Sequence, residues 1–221
     1  MGVYTTVVKF FQEGGLFMYP IAIVLGLGIA IAIERWLFLT MTTAKNKALW
    51  NSVTPYLKSG NLSGAMQVTA KSKAAIAQIM TYGLNRVRSA RRREDVEQAM
   101  EESLMEVMPR LERRTHYLAT FANIATLLGL LGTIVGLISA FTAVATANPA
   151  DKADLLSASI SVAMNTTAFG LIVAIPLLLV HTLLQTKTTE IIDSLEMASV
   201  KFLNAITERA AEAKPAAKSA G

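Results

Sequence analysis

Two stretches of the chain carry hydroxyl and amide groups inside runs that contain no Asp, Glu, Lys or Arg. His116 to Ala150 holds Asn123, Thr126 and Thr133, and Leu155 to Gln185 holds Ser157, Ser159, Ser161, Asn165, Thr166 and Thr167. A threonine hydroxyl donates one hydrogen bond and accepts others, so it can support a charged carboxylate, accept from a proton carrier or coordinate a hard cation. With no ionisable carboxylate or amine of their own, the two runs can line an ion path but cannot carry its charge. On a helix, at about 100° per residue, Asn123, Thr126 and Thr133 fall in one stripe. Ser159, Thr166 and Gly170 share a face with Thr167 at its edge, whereas Ser157, Ser161 and Asn165 lie on another. Two polar faces call for two different neighbours.

The elements that must position these residues are membrane spans. Each run exceeds the roughly 20 residues needed to cross a bilayer, and Gly14 to Ile33, closed by Glu34 and Arg35, is a third. A composition of 52% apolar and 17% charged residues agrees. The fold class is an all-α integral membrane protein with three transmembrane helices and long cytoplasmic helical extensions. The expected segments are 1–13 outside, a first span over 14–39, a cytoplasmic region over 40–115, a second span over 116–147, an outer loop over 148–154, a third span over 155–185 and a cytoplasmic helix and tail over 186–221. Gly129, Gly132, Gly136 and Gly170 strip bulk from the second and third spans, and Gly132 and Gly136 form the small-xxx-small spacing that lets helices approach closely in lipid. Ala30-Ile31-Ala32 has the form of a secretory cleavage site, but the apolar run is long and only Lys9 precedes it, so it is read as a span. The chain has no cysteine, which excludes disulfides and thiolate metal sites.

Orientation follows from the basic residues. Between Thr40 and Thr115 there are 13 Lys and Arg against seven acids, while Lys9 and Lys152 are all that flank the other side. The positive-inside bias places the N-terminus outside and the C-terminus in the cytoplasm. Arg91-Arg92-Arg93 is followed by Glu94, Asp95 and Glu97, the pattern of a solvated helix start rather than a nucleic-acid contact.

Ser59-Gly60-Asn61 predicts a turn, and the Ala-rich stretch Leu62 to Arg88 a helix packed as one arm of a hairpin. From Glu94 the helical spacing continues into the second span, with Pro109 expected to kink the helix rather than end it. A continuous helix from Glu94 to Ala147 has 54 residues, about 80 Å at 1.5 Å per residue, which suits a multi-subunit bundle. Ala210 to Gly221 reads as a frayed tail. With no internal repeat, phosphate loop or metal-ligand cluster, neither an enzyme nor a cofactor is indicated.

Gly14-Gly15, Met18-Tyr19-Pro20 and Glu34-Arg35 resemble the first span of the MotA/TolQ/ExbB family of ion-channel subunits. Leu111-Glu112-Arg113, Leu118-Ala119-Thr120 and GLLGTIVGLISAF from Gly129 to Phe141 resemble its second span. Thr166 to Leu171 with Ala174-Ile175-Pro176 resemble its third. The resemblance covers Gly14 to Leu39 and Leu111 to Gln185, and the length favours the ExbB/TolQ arm. It implies a homo-oligomeric ring in the bacterial inner membrane, a pentamer, around single-span partners resembling ExbD or TolR. The partner supplies the intramembrane Asp, and force passes to a TonB-like or TolA-like transducer. By motif position Thr133 and Thr167 line the ion path, with Thr166 beside them and Asn165 and Thr126 as further candidates. Where many relatives carry Glu this chain has Val162, and where they often carry Pro it has Thr126, which brings sodium into consideration beside the proton that family frequency favours. His116 and His181, at the cytoplasmic ends of the second and third spans, are candidates for a proton relay. The competing class is a non-conducting scaffold. A secondary transporter is disfavoured because three spans without a repeat leave no inverted pair to alternate.

Overall fold

The computed structural model describes residues 2, 10–11, 14–87, 89–90 and 92–218, the last eleven as backbone alone. Six helices are defined among them: α1 (Met18–Ser59), α2 (Leu62–Ala70), α3 (Ala75–Val87), α4 (Arg93–Glu112), α5 (Thr115–Thr146) and α6 (Lys152–Lys218). No strand occurs among the described residues. The chain folds into two compact units, one of residues up to Arg35 with Arg114–Leu183, the other of Trp36–Arg113 with residues from Leu184 onward.

The first unit is built from the apolar start of α1, all of α5 and the start of α6, and it holds helical stretches long and apolar enough to cross a membrane. The seam of α5 is made of Leu118 followed by the small residues Ala122, Ala125, Gly129, Gly132 and Ala140, all buried at heptad-like spacing. The matching seam of α6 is Ala163, Thr166, Gly170, Val173 and Leu177. A Cβ on Gly170 would lie 2.7 Å from the Ala125 carbonyl oxygen and 3.1 Å from the Gly129 Cα, so the two backbones touch directly. The outward faces carry Leu127, Ile134, Ile138 and Phe141, exposed on the single chain. Such an exterior belongs against lipid or neighbouring subunits. The protein is therefore a multi-pass membrane protein with three candidate spans.

Most of the expected N-terminal segment 1–13 lies outside the described residues. Phe10 and Phe11 pack edge-on against Phe169, at 6.3 and 5.8 Å between ring centroids. Gly15 takes a left-handed φ of 74° just before α1 begins at Met18. The expected loop 148–154 is shorter than read, because Lys152 already starts α6 and Asp154 sits in its first turn, where a carboxylate favours the helix dipole.

The second unit packs the later part of α1 with α2, α3, α4 and the later part of α6. Its core includes Leu39, Val53, Ile79, Met80, Met100, Leu111, Leu195 and Phe202, each nearly inaccessible. The predicted turn is present: Gly60 at φ 73° follows Ser59, Gly60 N–H donates to Leu57 O at 3.1 Å and Asn61 N–H to Tyr56 O at 2.9 Å. This left-handed cap closes α1. Asn61 then accepts from Gly64 N–H at 2.8 Å and opens α2.

Three expectations fail. The Ala-rich stretch from Leu62 is two helices, since Ser72 Oγ accepts from Ala74 N–H at 3.2 Å and buried Asn46 accepts from Ile76 N–H at 3.3 Å, restarting the chain as α3. The 54-residue helix is broken at Arg113–Arg114, four residues beyond Pro109. Arg113 N–H still reaches Pro109 O at 3.1 Å, but Arg114 adopts φ 68°, which an L-residue rarely does. The break coincides with the boundary between the two units. Finally, helix α6 continues to Lys218 instead of fraying from Ala210, and 219–221 lie outside the described residues.

Candidate functional site

Gly129 and Gly170 remove the side chains that would hold α5 and α6 apart, and this brings Thr133 of α5 against Thr167 of α6. Their hydroxyls hydrogen-bond each other. The Gly129 carbonyl accepts from Thr167 at 3.0 Å and from Thr133 at 3.2 Å, and the Ala163 carbonyl accepts from Thr133 at 3.2 Å. Two hydroxyls own two protons between them, so they satisfy at most two of these four contacts at a time. Oxygen lone pairs are left over. The pair can therefore accept from a proton carrier, coordinate a cation, or rotate a proton towards an arriving carboxylate without leaving a backbone group wholly unserved.

Thr166, the neighbour of Thr167, faces elsewhere. It is 2% exposed, its hydroxyl donates to the Gly14 carbonyl at 2.6 Å or to Val162 O at 3.0 Å, and its methyl packs against Gly132. Of the stripe Asn123, Thr126 and Thr133, Thr133 alone meets α6: Asn123 and Thr126 are exposed on the single chain, and Thr126 donates to Ala122 O at 3.1 Å. Asn165 is half-buried, and Ser157 and Ser161 are exposed. One of the two polar faces of the third apolar run is thus covered by the same chain, and the other is open. Gly136 faces Ala163, whose Cβ would lie 2.9 Å from a Cβ placed there.

At the other end of this unit His116 and His181 face each other with ring centroids 6.5 Å apart. That separation exceeds a direct hydrogen bond and suits a bridging water. Beside His116 in sequence, Arg114 pairs with Glu34 at 3.5 Å, and Arg35 is buried at 3% exposure. Neither the Glu34–Arg114 pair nor the Thr166–Gly14 bond was read from sequence. The first had a signal in opposite charges closing adjacent spans at one level. The second joins residues 152 apart through a backbone carbonyl, which no residue type announces.

A family model described as the MotA/TolQ/ExbB proton channel family matches residues 71–197. The chain belongs to this family. A putative biopolymer transport protein ExbB homolog of Methanothermobacter thermautotrophicus is 28% identical over 196 residues, covering 88% of this chain and 68% of the relative. A putative biopolymer transport protein ExbB-like 3 of Synechocystis is 28% identical over 169 residues, covering 76% and 80%. Both similarities place the chain in the ExbB arm of the MotA/TolQ/ExbB family. The family match also takes in α3 and α4, so the likeness extends into the region between Leu39 and Leu111 that the motif resemblance does not cover.

Proposed function

We propose that this chain is the stator-like subunit of an inner-membrane motor. Copies form a ring, a pentamer in our reading, around single-helix partners resembling ExbD or TolR, and proton flow through the Thr133–Thr167 pair drives relative motion of ring and partner. The termini lie as the basic residues direct, N-terminus outside and C-terminus in the cytoplasm. The observation that carries this reading is a shared pair of hydroxyls with spare lone pairs, set between two apolar runs that hold no carboxylate or amine. Such a site needs a charge from elsewhere, and a partner's Asp supplies it. The force then reaches a TonB-like or TolA-like transducer, and the chain itself is not an enzyme.

Vesicles containing this chain with its partner test the proposal. Proton flux down an imposed gradient, unchanged by sodium at fixed pH, is the expected result. Flux that requires sodium would assign the pair to that cation, a reading favoured by Val162 at the position where a carboxylate could have served protons. No flux of either ion would leave only a scaffold.

The paired imidazoles give a second expectation. In our reading His116 and His181 relay protons off the pathway through one water, because an imidazole can take up a proton on one ring nitrogen and release one from the other. Replacing both with Gln should slow flux a few-fold, because an amide cannot take up and release a proton as an imidazole does. A flux profile identical to that of the unchanged protein ends the relay assignment.

A further inference from the structure

In the second unit Trp36 and Thr40 of α1 hold Lys187 of α6. The Lys187 ammonium donates to the Thr40 hydroxyl at 2.6 Å and stands 4.3 Å from the centre of the Trp36 ring, within reach of a cation–π contact. The Thr40 hydroxyl itself donates to the Trp36 carbonyl at 2.7 Å, which leaves its oxygen to accept from the lysine. Lys187 is half-buried, whereas Trp36 and Thr40 are exposed. The lysine stem is thereby covered and its charge is held in one place. An ammonium has three N–H groups, and Thr40 takes one of them. Among the described residues Lys187 makes no ion pair, and the Trp36 indole N–H has no acceptor.

This cluster lies where the apolar exterior stops. Within the second unit α1 exposes Trp36, Leu37 and Met41 at 49, 56 and 55%, and its next exposed large apolar residue is Tyr56. The third apolar run ends at Gln185, two residues before Lys187, and from Leu184 onward α6 exposes no large apolar residue until Met197. Both helices therefore pass from a lipid-facing to a water-facing exterior at the level of the cluster. Phospholipid headgroups begin at that level, and tryptophan rings and snorkelling lysines collect there.

We propose that Trp36, Thr40 and Lys187 form a headgroup site for an anionic phospholipid of the bilayer. The inference rests on the membrane spans and not on ion flux through the chain. The lipid phosphate accepts from a remaining Lys187 N–H and from the indole N–H, while the amphipathic ring sits at the depth of the glycerol. Thr40 acts as a positioning residue that aims the ammonium. With no acid paired to it, the lysine favours a headgroup of net negative charge, because the choline of a zwitterionic lipid offsets the attraction of its own phosphate.

Trp36 and Trp50 are the only tryptophans in the sequence, so Trp50→Phe leaves Trp36 as the sole fluorescent reporter of its kind. The full chain with this change is reconstituted in vesicles of phosphatidylcholine and phosphatidylglycerol, in which one lipid or the other carries brominated acyl chains that quench tryptophan on contact. Quenching over a range of mole fractions should show phosphatidylglycerol favoured beside Trp36 by roughly fivefold, the preference that one lysine provides at an anionic surface. Lys187→Gln should bring the ratio close to one, Lys187→Arg should keep it, and added inorganic phosphate should leave it unchanged. A ratio near one without a change at Lys187, or a preference that survives Lys187→Gln, overturns the proposal. Loss of the preference on adding inorganic phosphate would make the cluster a site for the free ion instead. If neither brominated lipid quenches Trp36, the ring is covered by protein and the cluster is a contact between copies, which overturns the lipid site and leaves the proposed motor standing.

Discussion

Thr133→Val and Thr167→Val are each expected to leave the ring assembled and to remove most ion flux. Valine keeps the branched shape, so the seam between α5 and α6 survives, but it can neither donate nor accept. A hydrogen bond to a charged group contributes about 1.5–3 kcal/mol, which corresponds to a loss of roughly ten- to a hundredfold when the charged state of the partner's carboxylate loses that support. The carboxylate's pKa would rise, and it would hold its proton instead of releasing it. Thr166→Val supplies the contrast, because its hydroxyl serves the Gly14 carbonyl at 2.6 Å. It should lower stability by about 1–3 kcal/mol while conduction per assembled ring persists. Flux per ring in vesicles, read beside thermal melting, separates the two effects. Full flux in both the Thr133 and Thr167 variants would mean that these hydroxyls serve packing, and the path would have to be sought on the exposed face of Ser157, Ser161 and Asn165.

The second large effect is expected at Gly170. A Cβ there meets the Ala125 carbonyl oxygen at 2.7 Å and the Gly129 Cα at 3.1 Å, both backbone atoms that no rotamer change can move aside. Gly170→Ala should destabilise by about 1–3 kcal/mol, the usual range for overpacking, and Gly170→Leu should prevent the helices from seating. Separating them also parts Thr133 from Thr167, so flux falls further than assembly in the Ala variant. Gly28→Ala should be milder, since the added atom meets only the mobile end of Leu177, and Gly26→Ala should be neutral or stabilising because nothing lies within 4 Å. Thermal melts of the four variants in detergent check the order. A Gly170→Ala protein as stable as Gly26→Ala would show that α5 and α6 approach less closely than described.

The three apolar stretches were legible because each depends on a local pattern of hydropathy, and Thr133 and Thr167 stood out by the motifs that carry them, but that their hydroxyls meet across two helices was not legible. Gly132 and Gly136 advertised a packing face by their spacing, yet the tightest approach lies between Gly129 and Gly170, and no spacing relates residues on separate helices. The breaks were illegible for the same reason. Asn46 restarts the chain at Ile76 from thirty residues away, and Arg114 leaves the helical region where its side chain meets Glu34. Local propensity favoured continuing the helix at both places, and tertiary partners overrode it. The stripe of Asn123, Thr126 and Thr133 was a correct helical projection, but which part of it another helix covers depends on where Gly170 lets α6 come close.

In the proposed motor, the position of the hydroxyl pair along α5 and α6 would divide the driving force. Thr133 stands 17 residues from His116 and Thr167 stands 14 from His181, about 25 and 21 Å of helix in a hydrocarbon core about 30 Å thick. In the orientation proposed above, an ion that reaches the pair from outside has traversed the smaller part of the electric field, and most of the voltage drop lies ahead of it. Occupancy of the pair is then set by the external ion concentration. Departure towards the imidazoles takes most of the about 2.3 kcal/mol that each 100 mV supplies per charge. Chemical gradient and membrane voltage, equivalent at equilibrium, would act on different halves of the cycle: one loads the site, the other delivers the stroke.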